Sequence, residues 1–288
     1  EYFVSSKIPN RELEANKGSF GKVMIVGGSD EFIGASALAG IAASRTGAGL
    51  ITSAIPRSIV PSFTHLFPES TLIQLPETQS YEDGWVSAKL IYKELNKYSV
   101  MLIGCGLGLS RKTINLVENL LISRIKLPDL VIDADGLNIL SKMSNWWNEF
   151  SDNAVLTPHP GEMSRLTGLS ISDVQSNRLD VAKEFSYKWN KTIVLKGANT
   201  IISTPDRKAW VSEFANPALA SAGTGDVLSG IITGLLAQKL SIRDSAILGV
   251  YIHGRTGKIF KGKSGLMARD LLNHIPIVMD GLRNHKDL

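Results

Sequence analysis

The sequence predicts an open α/β sheet, mostly parallel and covered by helices on both faces, and three observations carry that expectation. Short β-rich runs alternate with longer helical patterns along the chain. The runs are continuously apolar, as strands buried on both faces are. The later helical patterns are dense in small and apolar residues, as largely buried helices are.

Taken in order, "KVMIVGG" (22–28) reads as a strand, "GASALAGIAASRTGAG" (34–49) as a helix and "LITSAI" (50–55) as a strand, which is the βαβ rhythm. The Pro-containing region 56–80 reads as a long loop or irregular element. The rhythm resumes with "VMLIGCG" (100–106) before the helical "RKTINLVENLLI" (111–122), with "DLVIDAD" (129–135) before "GLNILSKM", and with "KTIVLKG" (191–197). "DVLSGIITGLLAQ" (226–238) and "SAILGVYIHGRTGKIF" (245–260) read as buried helices. No tandem repeat or low-complexity linker interrupts this order, so one domain over 1–288 is expected, with 1–16 as an N-terminal extension. Ligands of such a sheet are expected at the carboxyl ends of the strands.

Composition narrows the function classes. The chain has 288 residues, 43% of them hydrophobic and 20% charged, and 31 Lys+Arg against 27 Asp+Glu are mixed along it without a block of like charge. A nucleic-acid partner is therefore not expected. No membrane span is expected either, because apolar stretches are interrupted early, as by Arg45, and residues 1–16 lack the apolar centre of a secretory signal. The single cysteine, Cys105, excludes a disulfide framework and reads as a small buried residue in a reducing, cytoplasmic protein.

The chemistry concentrates in four stretches. In "ASAGTGDVLSG" (220–230), Gly223 and Gly225 free the backbone to approach a ligand, and a helix beginning near Asp226 turns its positive end to the same place. The turn Gly223, Thr224, Gly225 is thus a candidate anion hole, and Asp226 is either an N-capping acid or the general base of a phosphoryl-transfer site. "LTPHPGEMSRLTG" (156–168) gathers Thr157, His159 and Glu162 on a proline-stiffened turn after a strand. His159 reads as a hydrogen-bonded surface residue or a ligand contact. Glu162 favours a first helical turn or holds Mg²⁺, directly or through water. "VLKGANT" (194–200) is a hairpin turn or a nucleotide contact. Asp133 and Asp135 end a strand, one suited to burial and one to the crevice. The glycine turns at 25–36 and 103–110 fit neither the dinucleotide fingerprint nor the P-loop.

The order and spacing of these stretches, with "KGSFGKVMIVGGS" (17–29), "IGCGLG" (103–108), "NPALASAGTGDVLSGII" (216–232) and "GVYIHGRTG" (249–257), resemble the NAD(P)H-hydrate dehydratase family of the ribokinase-like superfamily over nearly the whole chain. The resemblance is to the stand-alone dehydratase form, without the family's epimerase domain. It implies a ribokinase-like fold and nucleotide-driven dehydration of the S-epimer of hydrated NADH or NADPH, with Mg²⁺ and with ADP or ATP as co-substrate. ADP, favoured by likeness to bacterial-type enzymes, would yield phosphate and AMP; ATP would yield phosphate and ADP. By the same resemblance Asp226 is the base, while Ala35, Gly108, His159 and Asp226 line the hydrated-cofactor site. Lys196, Gly197, Ala198, Asn199, Thr200 and Gly225 line the adenine-nucleotide site, and a homo-oligomer, a tetramer, is implied. Three departures stand out: Cys105 replaces an expected proline, Ala215 a glycine, and Ala218-Leu219 a glycine-methionine pair. Alternative readings are a small-molecule kinase of the superfamily, acting on a vitamin precursor or a sugar, and a non-catalytic nucleotide sensor.

Overall fold

The computed structural model describes residues 2–12, 14–77, 81–122 and 125–284. Its elements, in chain order, are α1 (Tyr2–Ser5), β1 (Lys22–Val26), α2 (Ile33–Thr46), β2 (Leu50–Pro56), α3 (Val60–Leu66), β3 (Thr71–Leu75), α4 (Tyr81–Tyr92), β4 (Val100–Ile103), α5 (Arg111–Ile122), β5 (Asp129–Ile132) and α6 (Asp135–Leu140). There follow β6 (Ala154–Leu156), α7 (Pro160–Thr167), α8 (Ile171–Ser176), α9 (Arg178–Trp189), β7 (Thr192–Leu195), β8 (Ile201–Ser203), β9 (Ala209–Val211), α10 (Thr224–Ala237), α11 (Ile242–Ile259) and α12 (Ala268–Arg283). One sheet of nine strands runs in the order β3-β2-β1-β4-β5-β6-β7-β8-β9. Pairings from β3 through β7 are parallel, and β8 and β9 add antiparallel ribbons at the far edge.

Alternation along each strand divides the core into two layers. Met24, Val26, Met101, Ile103, Leu130 and Ile132 pack with α4, α5, α6 and α9 on one face. Val23, Ile25, Val100, Leu102 and Val131 pack with α2, α3, α10 and α11 on the other. A third cluster joins α2, α10, α11 and α12 outside that layer. The small residues of α2 and α10 let these two helices touch at the backbone: a Cβ on Gly230 would lie 2.2 Å from the Ala39 carbonyl oxygen and one on Gly234 2.7 Å from that of Ala43.

The chain leaves β1 for β2 and β3 on one side and returns to β4 on the other, so the strand order reverses between β1 and β4. Crevices of open α/β sheets form at that switch point, and both strands end there in glycine turns. The central strands and helices lie within two to three residues of where the sequence puts them. Region 56–80 differs, because it holds α3 and β3 instead of an extended loop, with 78–80 outside the described residues. The reason is β3's position at the sheet edge, where it is half-exposed and never reads as a continuous apolar run; Pro61 sits in the first turn of α3, where it costs no hydrogen bond. Among the described residues no helix is long and apolar enough to cross a membrane.

Candidate active site

The site is built around a buried ammonium. Lys196, just past β7, places its Nζ 2.7 Å from Asp133 Oδ1 and 3.7 Å from Glu162 Oε2. Asp133 ends β5 and is itself buried; Ser229 of α10 donates to its Oδ2 at 2.6 Å and the Ala134 N–H to its Oδ1 at 2.8 Å. A Cβ on Gly225 would meet Lys196 Nζ at 3.4 Å, so the ammonium lies against the first turn of α10. Burial disfavours its charge, but Asp133, Glu162 and Asp226 outweigh burial and hold the lysine protonated well above its ordinary value.

Asp226 occupies the first turn of α10. The helix begins at Thr224 and its N-cap is Gly223, at φ +85°, with no side-chain cap, so the N-cap reading of Asp226 does not hold. A side chain at Gly223 would clash with Leu38 Cδ1 at 2.7 Å as well as strain the backbone. The N–H groups of Gly225 and Asp226 meet no acceptor among the described residues, which leaves them for an anion in the positive field of the helix end. Burial, with Asp133 adding to it, pushes the Asp226 carboxyl up to about 7, against the stabilising Cys105 thiol and Lys196 ammonium. Cys105 is fully buried after β4, as expected, and burial together with Asp226 and Asp133 raises its thiol well above the ordinary value.

His159 and Glu162 close the site from α7. His159 is the helix N-cap: its Nδ1 accepts from the N–H groups of Gly161 and Glu162, at 2.9 and 3.2 Å, while Glu162 Oε2 accepts the His159 N–H at 2.7 Å. Both structural readings therefore hold. They leave Nε2 as the nitrogen of the half-exposed imidazole without a backbone bond, 3.4 Å from Glu162 Oε1. Burial, then Lys196 and Arg165, lower the His159 pKa, so the ring is neutral at pH 7. Burial raises Glu162 above the usual carboxylate range.

A cavity of about 680 Å³ opens beside this cluster, lined among others by His159, Lys196, Gly197, Ala198, Thr200, Thr224 and Gly225. Phe214, Leu219, Val250 and His253 also line it. Asn199 takes a left-handed φ of +54°, its amide Nδ2 donates to the Ser212 carbonyl across the hairpin, and it is not part of the cavity lining. Thr200 Oγ1 likewise donates to the Gly197 carbonyl, although Thr200 does line the cavity. The hairpin reading of 194–200 is correct, since β7 and β8 pair antiparallel across it.

Ala35, in the first turn of α2, and Gly108, in the turn after β4, are not part of that cavity's lining. The Ala35 Cβ packs against Gly106, and the Gly108 N–H, at φ +76°, donates to Asp135 Oδ2 at 2.8 Å, so Asp135 holds this turn while Asp133 is the buried acid. The sequence gives no role to Ser229, His253 or Phe214. His253 Nε2 meets the Thr224 carbonyl at 2.9 Å, and burial pushes its pKa down to about 4, so a neutral ring braces the start of α10 from α11. "GVYIHGRTG" contains it, but nothing local marks which helix end it faces. The departure at Leu219 sends its bulk against Gly257 of α11 and into the cavity wall, while the 3-10 turn Pro217–Leu219 still forms.

A mostly parallel sheet with a cavity beyond the carboxyl ends of β6 and β7, and an acid beside uncapped N–H groups at a helix start, define a ribokinase-like α/β protein. The chain belongs to the NAD(P)H-hydrate dehydratase family, which matches residues 23–277. It is 39% identical over 280 residues to a bifunctional NAD(P)H-hydrate repair enzyme of Moorella thermoacetica, covering 96% of this chain and 52% of that protein. The chain thus spans about half the length of this bifunctional relative. It is 31% identical to the ADP-dependent (S)-NAD(P)H-hydrate dehydratase of Bacillus subtilis, covering 96% of each. A crystal structure of the ADP/ATP-dependent NAD(P)H-hydrate dehydratase from Bacillus subtilis, co-crystallised with ATP and Mg²⁺, superposes with a TM-score of 0.82 at 30% identity, covering 97% of this chain and 96% of that one.

Proposed function

We propose that the protein dehydrates the S-epimer of hydrated NADH or NADPH with ADP or ATP as the driver, and so restores the reduced cofactor. The observation that carries this reading is the joint placement of Asp226 and the free N–H groups of Gly225 and Asp226 in one helical turn, next to Lys196. A carboxyl poised at about 7 exchanges a proton readily at neutral pH. Asp226 takes the proton of the hydroxyl at C6 as that oxygen attacks the terminal phosphorus. The α10 N-terminus and Lys196 stabilise the charge on the transferred phosphoryl group, and AMP or ADP departs. Phosphate then leaves C6 far more readily than hydroxide would, C5 gives up a proton to solvent, and the dihydropyridine re-forms.

On this reading the nucleotide lies along Lys196, Gly197, Ala198, Thr200 and Gly225, with Asn199 shaping the turn, and the hydrated ring lies toward Ala35 and Gly108, with His159 donating from Nε2 near the junction. Mg²⁺, when bound with the nucleotide phosphates, would offset their charge. Glu162 suits a contact through water, because its Oε2 already serves the His159 N–H and faces Lys196 while Oε1 carries no backbone bond. Assembly as a homo-tetramer is part of the proposal, and light scattering that finds only a species of the 31.2 kDa chain mass at micromolar concentration refutes that part. The activity itself is tested by incubating the protein with hydrated NADH, ADP or ATP and Mg²⁺. Nucleotide-dependent recovery of reduced-nicotinamide absorbance is expected, and its absence with both nucleotides overturns the reading.

A further inference from the structure

Behind the 196–200 loop lies a cation that no motif marks. Arg178, the first residue of α9, donates from Nη1 to the Ala198 carbonyl at 2.5 Å, and from Nη2 to the carbonyls of Leu195 and Lys196 at 3.1 and 3.2 Å. No carboxylate among the described residues pairs with it, its Nε is buried without a partner, and it does not line the cavity. A half-buried guanidinium whose acceptors are three carbonyls of one short turn serves that turn.

The consequence follows from peptide planarity. A trans peptide points its C=O and N–H in opposite directions, so fixing the Lys196 carbonyl on Arg178 turns the Gly197 N–H to the opposite side of the loop. The flanking N–H groups are engaged: Lys196 donates to the Pro158 carbonyl at 2.8 Å and Asn199 to that of Phe214 at 2.9 Å. Those of Gly197 and Ala198 meet no acceptor among the described residues, and both residues line the cavity. Gly197 is also what lets the guanidinium lie flat on the loop. At φ +140°, a Cβ there would stand 2.9 Å from Arg178 Nη2.

We propose that Arg178 is a positioning residue for the nucleotide. From the rear of the loop it draws the Lys196 carbonyl away from the cavity and so presents the Gly197 N–H to an oxygen acceptor of the bound nucleotide, without touching the nucleotide itself. This rests on the nucleotide-dependent reading above. The test is calorimetric titration of the full chain with ADP and Mg²⁺, alongside KM for hydrated NADH and thermal melting. Arg178→Ala is expected to raise the ADP dissociation constant at least tenfold while KM for hydrated NADH stays within twofold. Arg178→Lys keeps charge and stem packing and so guards against misfolding. It is expected to melt near the wild type yet lose at least fivefold in ADP affinity, because one ammonium cannot span three carbonyls. A folded Arg178→Lys or Arg178→Ala that binds ADP within twofold of the wild type overturns the inference, as does an equal rise in both constants. Failure of the wild type itself to bind ADP overturns instead the reading on which the inference rests.

Discussion

Two glycine turns face each other across the cluster, and they are held in opposite ways. The turn at 220–226 is held mainly by its own neighbours: Thr224 Oγ1 donates to the carbonyls of Leu219 and Ser221, Ser221 Oγ to that of Ala218, and α10 continues directly from it. The turn at 196–200 is held from afar, by Arg178 of α9, by the Pro158 carbonyl after β6 and by Phe214 after β9. The first carries the acid and an open helix end; the second carries the ammonium and two free N–H groups. On the proposed reading, chemistry sits on the locally determined turn, where a helix fixes a carboxylate and its anion hole as one rigid piece, and recognition sits on the turn whose shape depends on three other elements.

If that division is right, Asp226→Asn has the largest effect. It removes a general base, so turnover falls by about 10²–10⁴-fold, while ADP and hydrated-substrate binding change only a few-fold. An Asn variant that keeps most of its activity breaks the comparison, because the chemistry then lies elsewhere. The same variant probes burial. The folded protein holds the Asp226 proton up to about 7, far above the ordinary carboxyl value of 3.8, so its stability falls as pH rises between those values and is flat above. Asp226→Asn is therefore expected to melt higher than the wild type at pH 8, with the gap closing toward pH 4. A gap independent of pH contradicts a buried, protonatable Asp226.

The difference between the turns also decides what could be read without coordinates. Gly223, Gly225 and Asp226 were legible because a glycine-rich turn, an acid and an apolar helical run are consecutive, and the sheet's central strands because burial on both faces leaves continuous apolar runs. Arg178 was not legible. Its acceptors lie 17 to 20 residues away, and an arginine at a helix start has no local signature of binding carbonyls. The partner of the Asn199 amide was not legible for the same reason, since the Ser212 carbonyl that accepts from it lies across the hairpin. The edge strand β3 was missed because half of its side chains face water.

The comparison sharpens with two bulky substitutions. Thr200 lines the cavity and Ala35 does not, so Thr200→Trp is expected to raise the apparent constant for ADP or ATP at least tenfold with little change for hydrated NADH, and Ala35→Trp to do the reverse, each a loss of about 1.4 kcal/mol. Steady-state titration of each substrate at saturating concentration of the other separates the two. If both substitutions weaken the same ligand, the nucleotide and the nicotinamide do not lie on opposite sides of Asp226.

A steeper constraint on Asp226 comes from the pH profile. Because the base must be ionised, kcat/KM is expected to rise with pH through about 7 and then level, until other groups titrate. His159 does not supply this limb, since its own pKa is lowered and its Nδ1 is held as an acceptor by two backbone N–H groups. A profile flat from pH 5 to 8 removes Asp226 from the role of base.

The smallest expected effect belongs to Cys105, which stands where the family resemblance leads one to expect proline. Its Sγ lies within 4.8 Å of an Asp226 carboxylate oxygen, and the thiol there lowers the Asp226 pKa against the larger upward push of burial. Removing the donor leaves the carboxylate less stabilised, so Cys105→Ala moves the acid limb of the profile to higher pH. A neutral hydrogen bond is worth about 0.5–1.5 kcal/mol and a thiol is a weak donor, so activity on the acid side falls by about two- to threefold while the plateau above pH 8 is unchanged. Cys105→Ser restores an O–H donor of nearly the same size at a fully buried position, and it is expected to return the limb to or below its original position. An alanine variant whose limb does not move shows that the thiol has no hold on the base. A uniform loss at every pH assigns Cys105 to packing at the β4 turn and leaves Asp226 tuned by burial, Asp133 and Lys196 alone.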